Sequence, residues 1–390
     1  MSFGDLAKPR DNEALKDIVL GRVRAAGAIS FAEFMDLVLY HHRFGYYMAC
    51  DPSLDYQTSA EVHPVFAACI GQTLGEMWRL MDRPPRFDVF EAGAGSGRLA
   101  AGILRRLQSS DPDFAAALRY SVSDPRLSGP DALDVLEESG VPGGSVTVRD
   151  ELPGEGEIEG CILSSELLDA LPFRRVRVRD GRLEEILVAA EGRDLVDLAG
   201  TPDAAVVSYF RAAGQTPGEG CQAEVNLAAR DWMGAAAGSL GRGYILTLDY
   251  GYPANELYAP WRRTGTLLTF HRMSSGDDPY VHLGRQDITA SVDFTSVGMA
   301  GEAGGSEILA FTSQSMFLQG TGIARSLGET PTANLQGFYG LRQAVLALTD
   351  PAGLGRIKVL LQGKGVPPAL PAGFEAGTSA ELRPNAAAKL

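Results

Sequence analysis

Phe87-Asp88-Val89-Phe90-Glu91-Ala92-Gly93-Ala94-Gly95-Ser96-Gly97 reads as an apolar strand that runs into three glycines, and Arg98 to Gln108 continues at helical spacing. Bare backbone at a strand-to-helix turn can bend sharply and approach a ligand where a side chain would intervene. The spacing is E-x-G-x-G-x-G, which excludes two familiar nucleotide sites. A dinucleotide fingerprint counted from Gly93 needs glycine where Arg98 stands, and a Walker loop needs Lys-Ser or Lys-Thr after its glycines. What remains is a nucleoside-like ligand without a phosphate chain. S-adenosyl-L-methionine suits the pattern: Gly93, Ala94, Gly95 and Gly97 would lie against its amino-acid and ribose portions, with Glu91 near its ammonium group.

Outward from this turn, strand and helix patterns alternate. Leu118 to Ser123, Ser145 to Val148, Gly160 to Leu163 and Gly243 to Asp249 read as strands, and Asp131 to Ser139 as a helix. That rhythm predicts an α/β fold with a parallel sheet flanked by helices. Asp124 ends the strand after the glycine turn, ~30 residues on, where such sites place an acid for ribose hydroxyls. Asp150, after the third strand, is a candidate for the adenine amino group. Ahead of the sheet, Ser30 and Glu33 form a capping box for a helix, and an apolar helix runs from Val65 to Leu80. Residues 1–64 are therefore expected as a helical cap with a cofactor-closing loop, 65–172 and 241–365 as two halves of the core, 173–240 as an inserted hairpin and helical lid, and 366–390 as a flexible tail. The hairpin is Phe173 to Arg179, the turn Asp180-Gly181, and Arg182 to Val188; a helix is expected around Ala223 to Ala237, and Tyr250 to Phe294 reads as loop.

The 390 residues are 45% hydrophobic and carry a net charge of −14, which suits a globular enzyme and opposes nucleic-acid binding. Arg174, Arg175, Arg177 and Arg179 alternate with Val176 and Val178, and so read as the wet face of a strand. Cys50, Cys69, Cys161 and Cys221 are scattered, and no metal site is expected. No apolar run approaches the ~18 residues of a membrane span, so no membrane association and a cytoplasmic location are expected.

With the glycine turn placed, the chain from about residue 14 to 365 resembles the MidA-like family, relatives of the mitochondrial complex I assembly arginine methyltransferase. The resemblance rests on Gly45-Tyr46-Tyr47, Thr58-Ser59-Ala60-Glu61-Val62-His63-Pro64, Ser165-Glu166-Leu167-Leu168-Asp169-Ala170-Leu171-Pro172 and Leu248-Asp249-Tyr250-Gly251-Tyr252. It extends to Gly265-Thr266-Leu267, Asp287-Ile288-Thr289, Val292-Asp293-Phe294, Thr312-Ser313-Gln314 and Phe317-Leu318. It implies a seven-stranded Rossmann-like methyltransferase sheet, S-adenosyl-L-methionine as cofactor and, in the family, dimethylation of a protein arginine. Two departures bear on the acceptor and not on the cofactor: Ser165 stands where the family has Asn, and Arg98 where the mitochondrial branch has Thr.

Methyl transfer needs position and a route for the acceptor's proton, so carboxylates are the expected tools. Glu166 and Asp169 at the end of the fourth strand are candidates to hold a cationic nitrogen, with Asp249 and Tyr250 at the end of the fifth completing the catalytic set. Tyr250 would wall the acceptor by a cation–π contact. Thr58, Ser59, Glu61 and Ser165 join the cofactor-binding candidates, and Glu61 and His63 would close the site from the N-terminal side. Three readings stay open: transfer to a protein or peptide nitrogen, transfer to a small-molecule nitrogen or oxygen, and a silent assembly factor that keeps the ligand for structure. Expected partners are a protein, peptide or small-molecule acceptor and a second copy of the chain.

Overall fold

The computed structural model describes residues 11–127, 132–138, 140–329, 335–374 and 382. Its frame is one seven-stranded sheet: β1 (Phe87–Ala92), β2 (Leu118–Ser123), β3 (Val146–Val148), β4 (Ile158–Ser165), β5 (Leu240–Asp249), β6 (Glu307–Ser313) and β7 (Lys358–Lys364). In space they run β6-β7-β5-β4-β1-β2-β3. The first five are parallel, and β7 is antiparallel to both of its neighbours. All six residues of β1 are buried, as a central strand covered on both faces requires. One face packs on the helices Pro64–Leu80 and Arg98–Ser110, the other on Leu227–Ser239 and Phe294–Ala303. Because the strand order reverses beside β1, the carboxyl ends of β1 and β4 open a crevice, which is where this architecture binds ligands.

The insertion is larger than a hairpin. Arg174–Arg179, Arg182–Glu191, Asp194–Gly200 and Gln222–Val225 form a four-stranded antiparallel sheet, since a second turn at Gly192, with φ of 65°, sends the chain back along the middle strand. The expected helix at Ala223 starts later, because Gln222 to Val225 are drawn into this sheet; it runs Leu227–Ser239, capped by the Asn226 side chain. The arginine strand is held by acids: Arg174 pairs with Glu185 and Asp203, Arg175 with Asp197, and Arg177 with Glu184.

Cap and insertion, expected as separate pieces, share one apolar core. Leu15, Val19, Phe31 and Phe34 of the N-terminal helices Glu13–Ala26 and Phe31–Tyr40 pack with Phe173 and Val188 of the insertion and with Ile288. Ile29 and Val188 exchange both backbone hydrogen bonds, at 3.0 and 2.8 Å. The stretch from Tyr250 to Phe294 also departs from a plain loop. Leu268–His271, Ser274–Gly276 and Asp287–Thr289 form a small sheet, and Gly251–Tyr252 pairs with Val292–Asp293. The helix expected from Asp131 to Ser139 is seen over Ala132–Glu138, with its two end residues outside the described residues. Beyond Lys364 the chain is not a loose tail as far as Phe374, which is buried against Phe317 with ring centroids 5.2 Å apart. Leu382 is buried among Ile308 and its neighbours, and the remainder of the expected tail lies outside the described residues.

Candidate active site

The glycine turn is clamped before it meets anything else. The Gly93 and Ala94 amides donate to the Ser123 carbonyl at 2.8 and 3.1 Å, and the Gly95 amide donates to Asp124 Oδ2 at 2.8 Å. Asp124 Oδ1 accepts from the Arg126 amide, so this acid ties the ends of β1 and β2 together. Gly95 has φ of 58°, and a Cβ there would come within 2.8 Å of the Arg126 guanidinium. Above the turn lies a cavity of about 650 Å³ that Glu91, Gly93, Ala94, Gly95, Asp124 and Asp150 line. Thr58, Glu61 and Ser165 line it too. Glu91 accepts from the Tyr120 hydroxyl at 2.6 Å, and burial pushes its carboxyl up to about 7.

A second cavity, of about 560 Å³, opens between residues 47–57 and 166–170 on one side and the segment 250–291 on the other. Tyr47, Tyr56, Glu166 and Ala170 line both cavities, so the two meet at these side chains. Glu166 holds a left-handed backbone, φ of 53°, a costly conformation for a residue with a Cβ that persists only when its surroundings fix it. They do: its amide donates to the Leu248 carbonyl at 2.8 Å, and its Oε1 accepts from the Ser59 amide at 2.8 Å. Asp249 secures the next two residues, accepting from the Leu167 and Leu168 amides at 3.1 and 2.7 Å.

Three acids face the second cavity from its inner end. Glu166 is pushed up to about 8 by desolvation, with Asp169 and Glu61 adding to it. Asp287, which accepts from the Tyr47 hydroxyl at 2.8 Å, is raised to about 7 by burial and by Asp169. Asp169, which accepts from Thr289 at 2.8 Å, is raised to about 6, chiefly by desolvation. Among the described residues no group of acids, histidines or cysteines could hold a metal ion.

Most sequence candidates thus converge, and four do not face a cavity. Asp249 is fully buried and lines neither cavity, because its oxygens serve backbone amides; it stands behind the cavity wall, where its carboxyl meets that of Asp169, and burial and the Asp169 charge raise its affinity for protons. Ser59 turns its hydroxyl to Gln314 at 3.1 Å and contributes only its amide, to Glu166. Gly97 points at Leu136 of the helix Ala132–Glu138, which a Cβ would strike, so it serves packing and not the cavity. His63, expected to help close the site, accepts from the Val65 amide at 3.1 Å as a helix cap. Tyr250 does line the second cavity, with the Arg356 guanidinium 5.4 Å from its ring. Tyr47, Tyr56 and Asp287 were not assigned roles from sequence, although Tyr47 and Asp287 lie in two of the motifs quoted above; their partnership spans 240 positions.

The family model described as "Putative S-adenosyl-L-methionine-dependent methyltransferase" matches residues 69–312. A Burkholderia thailandensis protein solved with S-adenosyl-homocysteine bound is 30% identical, with a TM-score of 0.85 over 94% of this chain and 96% of that one. The protein arginine methyltransferase NDUFAF7 homolog of Drosophila melanogaster is 29% identical over 88% of this chain and 84% of its own length. The mouse NDUFAF7 protein is 26% identical over 70% of this chain and 66% of its own. These two relatives are mitochondrial, which overturns the cytoplasmic location inferred from the absence of apolar runs. The lack of a membrane-length segment carries no information about compartment.

Proposed function

We propose, since this chain belongs to the S-adenosyl-L-methionine-dependent methyltransferase family, that its acceptor is the guanidinium nitrogen of an arginine side chain in a protein or peptide. One observation carries this reading: Glu166, Asp169 and Asp287 line the same cavity, and Glu166 also lines the cavity over the glycine turn. Three enclosed carboxyls repel one another when ionised, and a planar cation with several N–H donors relieves that repulsion. The donor fits the first cavity. Gly93 and Gly95 present bare backbone to it, Glu91 and Asp124 offer carboxyl oxygens, and Thr58, Glu61, Asp150 and Ser165 wall it. When bound, S-adenosyl-L-methionine supplies an electrophilic methyl group on sulfur.

The chain's own residues orient the acceptor and take its proton. Glu166, between the cavities, directs one guanidinium nitrogen toward the donor side and accepts the proton that the nitrogen loses as it gains carbon. Its raised affinity for protons suits it to that task. Asp169 and Asp287 hold the other nitrogens, and Asp249 acts through the backbone of Leu167 and Leu168 as a positioning residue. The relatives named as arginine methyltransferases support the same acceptor. The test is to incubate the protein with methyl-labelled S-adenosyl-L-methionine and cell lysate, then hydrolyse the protein fraction in acid. Label is expected in methylarginine; label confined to small molecules, or lost from protein in mild base as an ester would be, contradicts the reading.

A further inference from the structure

The second cavity is polarised from end to end. Its inner end carries the three acids, while two guanidiniums, Arg262 and Arg356, line it elsewhere. Arg356 is exposed, which places it toward the mouth, and Arg262 is half-buried. Each lies over a tyrosine: Arg262 is 4.0 Å from the Tyr252 ring centroid, Arg356 is 5.4 Å from that of Tyr250. Those tyrosines flank Gly251, so the two cations are mounted on one short stretch of chain. Among the described residues neither arginine enters an ion pair; Arg262 spends its Nε on the Glu256 carbonyl at 2.9 Å. By contrast, Arg174, Arg175 and Arg177 of the insertion are each met by acids. Asp277 also lines the cavity, exposed, and pairs with neither.

We propose that Arg262 and Arg356 form an anion subsite that binds a carboxylate on the acceptor while its guanidinium occupies the acidic end. A tyrosine face restrains a guanidinium's plane and leaves N–H edges free, and a guanidinium fork so held matches carboxylate geometry. The carboxylate has two sources, an acidic side chain beside the arginine in a peptide or the α-carboxylate of a free amino acid. This rests on the guanidinium part of the reading above; an α-carboxylate source would replace its protein or peptide acceptor by a free amino acid.

The test measures dissociation constants in the presence of saturating S-adenosyl-homocysteine. The probes are agmatine, free arginine, a blocked Gly-Arg-Gly peptide and a blocked Asp-Arg-Asp peptide. At least one carboxylate-bearing probe is expected to bind about 10-fold or more tighter than its partner without the carboxylate: free arginine against agmatine for an amino-acid source, Asp-Arg-Asp against Gly-Arg-Gly for a peptide source. In the R262Q/R356Q double variant that advantage should fall to within about 2-fold with agmatine binding no weaker than in the parent, and R356E should reverse it. R356K, which keeps the charge, should keep most of the advantage; with melting temperature and S-adenosyl-homocysteine affinity it separates loss of the subsite from loss of the fold. Equal binding within both pairs, or an advantage that survives the double variant, overturns the subsite alone. Failure of every guanidine probe to bind overturns the arginine reading and the subsite with it.

Discussion

Glu166 and Asp249 end neighbouring parallel strands, yet one side chain opens onto two cavities and the other is spent on backbone. Removing them should therefore have different consequences. Asp249→Ala leaves the Leu167 and Leu168 amides without their acceptor, and an unfolding titration should show a loss of about 1–3 kcal/mol for each amide left buried. The variant should lose activity along with stability, because the two residues that follow the left-handed turn at Glu166 lose their anchor. At the donor cavity, Asp124→Ala should weaken S-adenosyl-L-methionine binding by about 1–3 kcal/mol in calorimetry, since it removes a charged acceptor and frees the Gly95 amide. Unchanged affinity would make Asp124 a turn residue only. Gly95 and Asp124 were legible in the sequence because their demands are local: a turn excludes side chains, and a strand end needs an acid. That Asp249 lines neither cavity was not legible, because an acid at a strand end looks the same in sequence whether it points into a crevice or back at the chain. Asp287 and Tyr47 could not be paired without knowing that segments 240 positions apart meet.

The segment from Gly45 to Glu61 supplies Tyr47, Tyr56 and Thr58 to the cavities, and it is held by a few buried ties. Tyr46 donates to Asp55 Oδ2 at 2.8 Å, and Asp55 Oδ1 accepts from the Arg272 amide at 2.5 Å, joining the segment to the small sheet of residues 268–289. Asp55→Ala cuts both ties without touching a cavity wall. It should raise KM for donor and acceptor together while S-adenosyl-homocysteine still binds, as steady-state kinetics can check; a change confined to one substrate would mean the segment serves one cavity only. The capping box at Ser30 was readable, and its Ser30 hydroxyl does accept from the Glu33 amide at 3.1 Å. The third strand of the insertion, Asp194–Gly200, was not, because its exposed, acid-rich sequence gains strand structure only from the long neighbour Arg182–Glu191. Strands of two to four residues between Tyr250 and Phe294 are likewise too short to set up a period, and their partners fix them.

The parallel sheet and its glycine turn follow from sequence pattern, but the packing of cap against insertion depends on contacts between distant segments, which a pattern does not contain. The cap residues Tyr47 and Tyr56 and the segment 250–291 enclose the acids, and their raised proton affinities make stability depend on pH. Glu166 at about 8, Asp287 at about 7 and Asp169 at about 6 all bind protons more tightly folded than unfolded. The folded chain then holds more protons across the window from about pH 4.5 to 8, so the melting temperature of the empty protein should fall as pH rises through that window. A bound guanidinium favours the ionised acids, and should flatten the slope and release protons into a weakly buffered solution. A flat profile without ligand would mean these acids are better solvated than their walls imply. The central claim is that Glu166 joins a donor cavity to an acceptor cavity, and the most direct measurement is single-turnover methyl transfer by Glu166→Gln, paired with its S-adenosyl-homocysteine affinity. The expected result is a rate at least ~100-fold lower with affinity within a few-fold of the parent. A near-normal rate, or a loss that lies wholly in cofactor affinity, would contradict it.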